Sequence, residues 1–237
     1  METKKKPRKN DPERVSRAWL RFGAALVCAF ILLAVTSFGF VRLMRGGTPI
    51  LKLDRLVPGD YVQQDVSIVL DNIATGYRGE KATEVYGVVP LQGKFYVFCF
   101  PERWFVSELA VREQTDAWLG DPEQGRDQYM LLSGTAQTLP DSAAKKARAW
   151  LARNEDTLRA IGMIPAGQAT EDCIDPCVIY VDRVGGLPFG TVILLTAAAF
   201  LLVLYALAVL LRIAVRGYPP RPEKAEKKEK EKLHGKA

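Results

Sequence analysis

The sequence predicts an α+β fold in which two transmembrane helices flank a β-rich extracytoplasmic domain. Two uncharged runs support the helices: residues 22–41, which number 20, and residues 184–211, which number 28. At about 1.5 Å per residue, either run is long enough as a helix to cross a hydrocarbon core of about 30 Å. Between them lie short segments rich in β-branched and aromatic residues and one amphipathic segment. These predict a small antiparallel sheet or partial barrel with a helix packed on it.

The distribution of charge predicts how the chain is oriented in the membrane. Residues 1–21 and 212–237 each have a net charge of +5, whereas residues 42–183 have a net charge of −4. Because basic residues close to a span stay on the cytoplasmic side, we expect both tails inside and the middle segment outside. Anionic headgroups at the membrane interface are expected to contact Lys4, Lys5, Lys6, Arg8, Lys9, Arg21, Arg212 and Arg216. The excess positive charge belongs to the tails, so it gives no support to nucleic-acid binding.

The first apolar run could instead be a cleaved signal peptide. It is longer than the usual limit of about 15 residues for such a segment, and Phe38 and Phe40 crowd its small-residue candidates for cleavage. We therefore expect an uncleaved anchor.

Small residues occur in both runs, with Ala25 and Ala29 in the first and Ala197 to Ala199 in the second. Such residues can allow two helices to approach closely, but the pattern is short, and we interpret these alanines as lipid-facing filler. Neither run contains an ionisable acid or base, which a transport path would need, so we expect both spans to serve as anchors.

The middle segment predicts five strands, over residues 61–70, 84–91, 94–100, 128–138 and 178–181. A hairpin is expected around Leu91, Gln92 and Gly93, because glycine supplies the positive φ angle of a tight turn. Residues 102–119 fit neither helical nor strand periodicity cleanly. Residues 142–161 predict an amphipathic helix with Asp141 as its N-cap and Gly162 at its end.

Few residues are candidates for chemistry. The single histidine, His234, lies in the Lys/Glu-rich tail, away from the predicted outer domain, and no glycine-rich phosphate signature is present. We interpret the carboxylates Asp60, Asp65, Asp71, Glu102, Glu108 and Glu113 as ordinary surface residues. No catalytic residue, metal site or cofactor is predicted.

The cysteines are the most informative chemical feature. Cys173 and Cys177 form a C-x3-C pair before the last strand and could close a disulfide loop outside the membrane, while Cys99 is an alternative partner for either. Reduced thiols without a special role, redox catalysis and metal binding remain open. Redox-active pairs usually have C-x-x-C spacing, and Asp172 and Asp175 would raise the pKa of a nucleophilic thiol here.

The layout of basic tail, span, β-rich domain, span and Lys/Glu-rich tail resembles the uncharacterised two-span envelope proteins of Gram-positive, clostridia-type bacteria. This resemblance covers the whole chain but includes no motif, so it implies no catalytic residue. The run from Pro58 through Gly59, Asp60 and Tyr61 to Val62 is similar to the start of the domain set between two spans in some membrane-bound ubiquitin ligases. Those ligases carry a zinc-binding RING after the second span. The tail here has no cysteine and one histidine, so ligase activity is not implied.

We expect a non-enzymatic protein of the cell membrane, with both termini cytoplasmic and an outer domain that serves in binding, assembly or sensing at the cell envelope. Its expected partners are the lipid bilayer and either a membrane protein or a second copy of the chain. Two alternatives stay open. One is a thiol-dependent envelope redox protein that uses Cys173 and Cys177, and the other is an accessory subunit of a transporter or secretion complex.

Overall fold

The structure is a computed structural model that describes residues 12–125 and 127–216. The predicted headgroup contacts Lys4, Lys5, Lys6, Arg8 and Lys9, together with His234 and the Lys/Glu-rich tail, lie outside the described residues. The chain divides into two compact units. One is Phe38–Val192, which contains the sheet, and the other comprises the helical segments before and after it.

Two long apolar helices, α1 (Pro12–Arg45) and α4 (Phe189–Arg216), flank the sheet domain. Both are long and apolar enough to cross a membrane, and in each only 22% of the most apolar window is buried by protein. α4 begins later than the predicted residue 184, because β7 (Arg183–Val184) and β8 (Leu187–Pro188) form a short hairpin first. Arg21 and Arg212 lie within α1 and α4 and are exposed.

Small residues form the buried stripe of the helical unit. The stripe consists of Ala18, Ala25, Ala29 and Thr36 in α1 and of Thr196, Ala199 and Ala206 in α4. Most of these residues recur at spacings of seven or four, as in helices that pack with a seven-residue repeat. They can be buried only where another helix covers them, so α1 and α4 pack together along this stripe. The interpretation of Ala25 and Ala29 as lipid-facing filler is therefore wrong.

The sheet domain is built on one six-stranded sheet in the order β1-β5-β6-β4-β3-β2. The strands are β1 (Tyr61–Val66), β2 (Asp71–Arg78), β3 (Lys81–Leu91), β4 (Lys94–Pro101), β5 (Met130–Thr138) and β6 (Ile174–Val181). Neighbouring strands are antiparallel except β4 and β6, which are parallel. The sheet is thus mixed rather than antiparallel, and its last strand lies near its centre.

The predicted hairpin is confirmed. Gln92 and Gly93 connect β3 to β4 with φ angles of 48° and 75°, as in a turn in which both central residues have positive φ. β2 is a strand that the sequence did not predict, and the segment predicted as 61–70 ends as a strand at Val66.

One face of the sheet is covered by α3 (Asp141–Ala160), the predicted amphipathic helix. Its buried side chains are Ala143, Ala147, Trp150, Leu151 and Leu158. Asp141 is the first helical residue rather than the N-cap, a position that Pro140 occupies without a side-chain cap. Gly162, with a φ angle of 74°, ends the helix as predicted.

The opposite face packs against α2 (Phe105–Gly120) and a segment that includes Ile50 and Leu56. The ambiguous residues 102–119 are thus a helix, preceded by one 3-10 turn (Glu102–Trp104). The side chains that α2 buries are unusual, because Glu108 and Thr115 are buried beside Val111 while Val106 is 81% exposed.

Candidate functional site

The sheet domain is tied to the start of α4 by a set of charged and aromatic side chains that we call the junction cluster: Glu84, Arg103, Trp104, Asp182 and Arg183. Asp182 directly follows β6 and has a positive φ angle of 63°, which aspartate tolerates better than most residues. Its carboxylate accepts hydrogen bonds from Arg103 Nε and Trp104 Nε1. Its backbone carbonyl accepts the N–H of Phe189, the first residue of α4, at 2.8 Å. Asp182 therefore joins β6, the start of α2 and the start of α4.

Arg183 extends the junction cluster across the sheet. Its guanidinium donates to Glu84 Oε1 at 2.7 Å and lies 4.6 Å from the centre of the Tyr180 ring. Its backbone carbonyl accepts the hydroxyl of Thr135 at 2.8 Å. The Thr135 hydroxyl also accepts the N–H of Gly185 at 3.1 Å. These contacts fix the hairpin through which the chain enters α4.

An open groove of about 600 Å³ adjoins the hairpin and the end of α1. It is lined by Arg42, by the Pro58–Gly59 turn, by Thr135 to Thr138 of β5, and by Gly185 and Gly186. The guanidinium of Arg42 lies 5.8 Å from the centre of the Phe38 ring. This groove is wide, and Arg42 is the one charged residue in its lining among those that the structure describes, so it brings together no set of residues able to carry out acid–base catalysis.

Two adjoining cavities, of about 460 and 190 Å³, lie beside α3 and share Arg148 and Glu171. We call them together the α3 groove. Leu151, Ala152 and Ala169 line the larger cavity, and Leu139, Ala144 and Pro176 line the smaller one. Asp141, Glu155, Glu171 and Asp175 contribute four carboxylates against the single guanidinium of Arg148, so the groove combines apolar walls with an acidic rim.

One wall of the α3 groove is fixed by hydrogen bonds around Glu155. Thr170 Oγ1 donates to Glu155 Oε1 at 2.6 Å, and Arg159 donates to the same oxygen at 2.9 Å. Arg159 also donates to the carbonyl of Gln168 at 3.0 Å. The bond from Thr170, followed by that from Arg159, lowers the pKa of Glu155 and keeps it ionised at neutral pH.

The cysteines expected to form a bridge are apart in the structure. Cys28, Cys99, Cys173 and Cys177 are all free thiols, and Cys99, Cys173 and Cys177 are buried. Cys173 packs with Trp150 on the α3 face, whereas Cys177 packs with Phe98 on the opposite face. The structure therefore contains no Cys173–Cys177 disulfide.

Cys99 is not placed to pair with either of them. It shares the α3 face with Cys173, but it lies opposite Tyr180, whereas Ile174 lies opposite Phe95. Phe95 and Cys99 are four residues apart along β4, which is about 13 Å in a strand. Cys173, next to Ile174, is therefore too far from Cys99 for a disulfide, which needs Cα atoms within about 7 Å.

Burial makes these thiols poor nucleophiles. It raises the pKa of Cys99 to about 12 and that of Cys177 to about 11, and it also raises the pKa of Cys173. Asp175 is the second cause for Cys177, as the sequence predicted for a carboxylate close to the pair. Thiolate chemistry is suppressed at all three positions.

Two carboxylates predicted as surface residues, Glu108 and Asp71, make contacts within the domain. Glu108 is 3% exposed, so its interpretation as a surface residue is wrong. Burial raises its pKa in spite of Arg112, whose Nε lies 3.4 Å from Glu108 Oε1. Asp71 accepts a hydrogen bond from Trp150 Nε1 at 2.8 Å and so fastens β2 to α3. Within residues 12–125 and 127–216, no group of three or more His, Cys, Asp or Glu residues could hold a metal.

Sequence reasoning missed the junction cluster entirely. Its members are separated by up to 99 positions along the chain, so only strand order brings them together. The local signal that was available was Asp182, a residue type that favours positive φ, between a strand and Gly185.

Neither a known protein family, nor a curated protein, nor a solved structure matches this chain. Its function has to be inferred from its own residues.

Proposed function

We propose that this is a non-enzymatic membrane protein that crosses the bilayer with α1 and α4 and binds a partner protein outside the cytoplasm through the α3 groove. The partner segment that fits this groove carries basic and apolar side chains. The observation that carries the proposal is the acidic rim around the leucine and alanine walls of the groove. Charge complementarity of this kind favours a basic partner.

Membrane insertion is supported by the two apolar helices and by the small fraction of their apolar surface that is buried within the protein. A core helix of a soluble protein would be buried over most of its surface. The +5 charge of each tail supports a cytoplasmic location for both termini and an extracytoplasmic sheet domain.

A topology experiment tests the membrane arrangement. Protease added to intact cells is expected to cut the sheet domain, where residues 121–125 are exposed, and to spare epitope tags on both termini. Cleavage of the tags with survival of the sheet domain would show the opposite orientation.

Site-specific photo-crosslinking in native membranes tests partner binding. A photoreactive residue at Ala152, which lines the groove, is expected to give a discrete adduct with a second protein. The matched control is Ala149, which is also exposed on α3 but does not line the groove. The adduct should be lost in the Glu171→Lys variant, because a positive charge would repel a basic segment. Equal adducts at both positions would contradict the proposal.

The identity of the attached protein decides an alternative left open by the sequence. An adduct with a subunit of a transporter or secretion complex would make this chain an accessory subunit of that complex. An adduct with a second copy of the chain would make the groove a site of self-assembly.

The thiol-dependent alternative has its own test. Because burial raises the pKa of Cys173 and Cys177, we expect both to stay unmodified by a maleimide at neutral pH until a denaturant is added. The lipid-exposed Cys28 is replaced by alanine to remove its signal. Rapid labelling that depends on prior reduction would support a redox role instead.

A further inference from the structure

The exposed surface of α2 changes character along the helix. Val106 is 81% exposed and Leu109 is 41% exposed, and both lie in the first two turns. Further along, Glu113 and Asp116 are exposed, and Leu119 is 38% exposed near the end of the helix. Residues 106, 109, 113 and 116 share one face of a helix, since they are three or four positions apart. This face is therefore apolar in its first two turns and acidic at Glu113 and Asp116.

Two polar residues of α2 are buried, although Val106 and Leu109 are exposed. Glu108 is 3% exposed and Thr115 is fully buried, with its hydroxyl donating to the carbonyl of Val111 at 2.8 Å and accepting the N–H of Val69 at 3.3 Å. A helix on the surface of a soluble domain normally has the opposite arrangement. An apolar environment outside the domain would stabilise the first two turns of α2.

The apolar beginning of α2 lies at the point where the chain enters α4. Trp104 and Arg103, the two residues before α2, both donate to the carboxylate of Asp182. The carbonyl of Asp182 in turn accepts the N–H of Phe189. Asp182 thus connects the start of α2 to the start of α4, a helix that is long and apolar enough to cross a membrane.

We propose that Phe105, Val106 and Leu109, which we call the α2 patch, insert into the interfacial region of the outer leaflet of the same bilayer that α4 crosses. Trp104 and Arg103 lie at the level of the headgroups, where tryptophan and arginine are both favourable. The acidic face around Glu113 stays in water. This inference depends on the membrane insertion of α4, but it does not depend on a partner in the α3 groove.

Spin-label accessibility in phospholipid nanodiscs tests the proposal. Nitroxide labels are attached through Val106→Cys and, as the matched control, Glu113→Cys, which lies seven residues further on the same face. Both variants carry Cys28→Ala, because Cys28 is exposed whereas the other native thiols are buried. Intact protection of Cys99, Cys173 and Cys177 in each variant shows that the domain is folded.

We expect the label at position 106 to be more accessible to oxygen, and less accessible to a water-soluble nickel complex, than the label at position 113. The label at position 106 should collide with oxygen, which concentrates in lipid, at least about twofold more often than the label at 113, and with a water-soluble nickel complex correspondingly less often. Equal accessibility of both labels to the nickel complex would overturn the proposal. Protection of position 106 from both agents, with dipolar broadening that disappears on dilution with unlabelled protein, would show that a second copy covers the patch instead.

The topology experiment distinguishes this outcome from failure of the proposed function. If protease shows that the sheet domain is extracytoplasmic while position 106 is in water, only the α2 patch is excluded from the membrane. If the sheet domain is protected and the tags are cut, the membrane arrangement itself is wrong.

Discussion

Asp182 connects three elements because both its backbone and its side chain form hydrogen bonds. Its N–H donates to the carbonyl of Ser133 at 2.9 Å, and its carbonyl and carboxylate accept from Phe189, Arg103 and Trp104. The positive φ angle turns the chain away from the sheet at this residue. A residue with a β-branched side chain could not adopt this conformation without strain.

Replacing Asp182 with alanine should therefore destabilise the sheet domain. The indole N–H of Trp104 loses its acceptor, and leaving such a donor unpaired costs about 1 to 3 kcal/mol. Urea unfolding followed by tryptophan fluorescence measures the effect. Asp182→Asn is the control, because asparagine tolerates the same φ angle and can still accept from Trp104. Equal stability of the alanine variant and the native protein would show that the contact is not important for folding.

Glu108 should make the stability of the domain depend on pH. Burial is the main cause of its raised pKa, so its ionised form is less favourable in the folded state than in the unfolded state. Stability is then greatest while Glu108 is protonated, and it is lost as the pH rises through the ordinary pKa of glutamate towards the folded value.

Glu108→Gln should raise the free energy of unfolding at neutral pH by an amount on the order of 1 kcal/mol and reduce this pH dependence. Urea midpoints measured at several pH values provide the comparison. Glu113→Gln, on the exposed side of α2, serves as the control. A loss of stability in the Glu108 variant would mean that its pairing with Arg112 outweighs the cost of burial.

At the scale of the elements, the packing of the two apolar helices depends on the size of the side chains between them. Ala199 is fully buried, whereas Ala197 in the same helix is exposed. Two helices can approach closely only where the side chains between them are small.

Ala199→Leu should therefore separate α1 from α4 and lower the thermal midpoint in detergent by about 5 °C, as expected from overpacking of about 1 to 3 kcal/mol. Ala197→Leu adds the same side chain on an exposed side and should leave the midpoint unchanged. Similar midpoints for the two variants would argue against packing along the alanine stripe.

How far an element could be predicted from the sequence depended on how its burial is patterned. β3, β4 and β5 were predicted because β-branched and aromatic residues are concentrated in them. β2 was missed because it is an edge strand with Asn72 and Gly76 in its interior and no fully buried residue. α2 was ambiguous because its inward side chains include Glu108 and Thr115. The start of α4 was misplaced because residues 184–188 of the preceding hairpin are also uncharged.

The candidate site was less predictable than the fold. The junction cluster and the α3 groove depend on which strands are neighbours, and the parallel pairing of β4 with β6 has no local signal in the sequence. The cysteine spacing suggested a bridge, but Cys173 and Cys177 face opposite sides of the sheet. Spacing along the chain does not reveal which side of a sheet a thiol faces.

At the scale of the whole molecule, the two compact units are held by different forces. The sheet domain has its own apolar core, which includes Phe98, Phe100 and Ile179. Apart from their ends, α1 and α4 form their backbone hydrogen bonds internally, so lipid would favour them as helices even without the domain.

We therefore expect urea to unfold the protein in nanodiscs in separate steps rather than as one cooperative unit. The first step should expose Cys99, Cys173 and Cys177 to a maleimide while most of the helical circular dichroism remains. Most of it remains because α1 and α4 contain 34 and 28 residues, against 16 and 20 in α2 and α3. Simultaneous loss of both signals would contradict this expectation.

The position of β6 has a consequence for the order of events during synthesis. β6 is the last long strand to leave the ribosome, yet it separates β1 and β5 from the hairpin stack of β2, β3 and β4. The two sets of strands can be joined into one sheet only after β6 has been synthesised and inserted between them. Only seven residues, 182–188, lie between the end of β6 and the start of α4, so β6 is completed just before α4 is synthesised. In the proposed membrane arrangement, completion of the sheet is thereby coupled to integration of α4 into the bilayer.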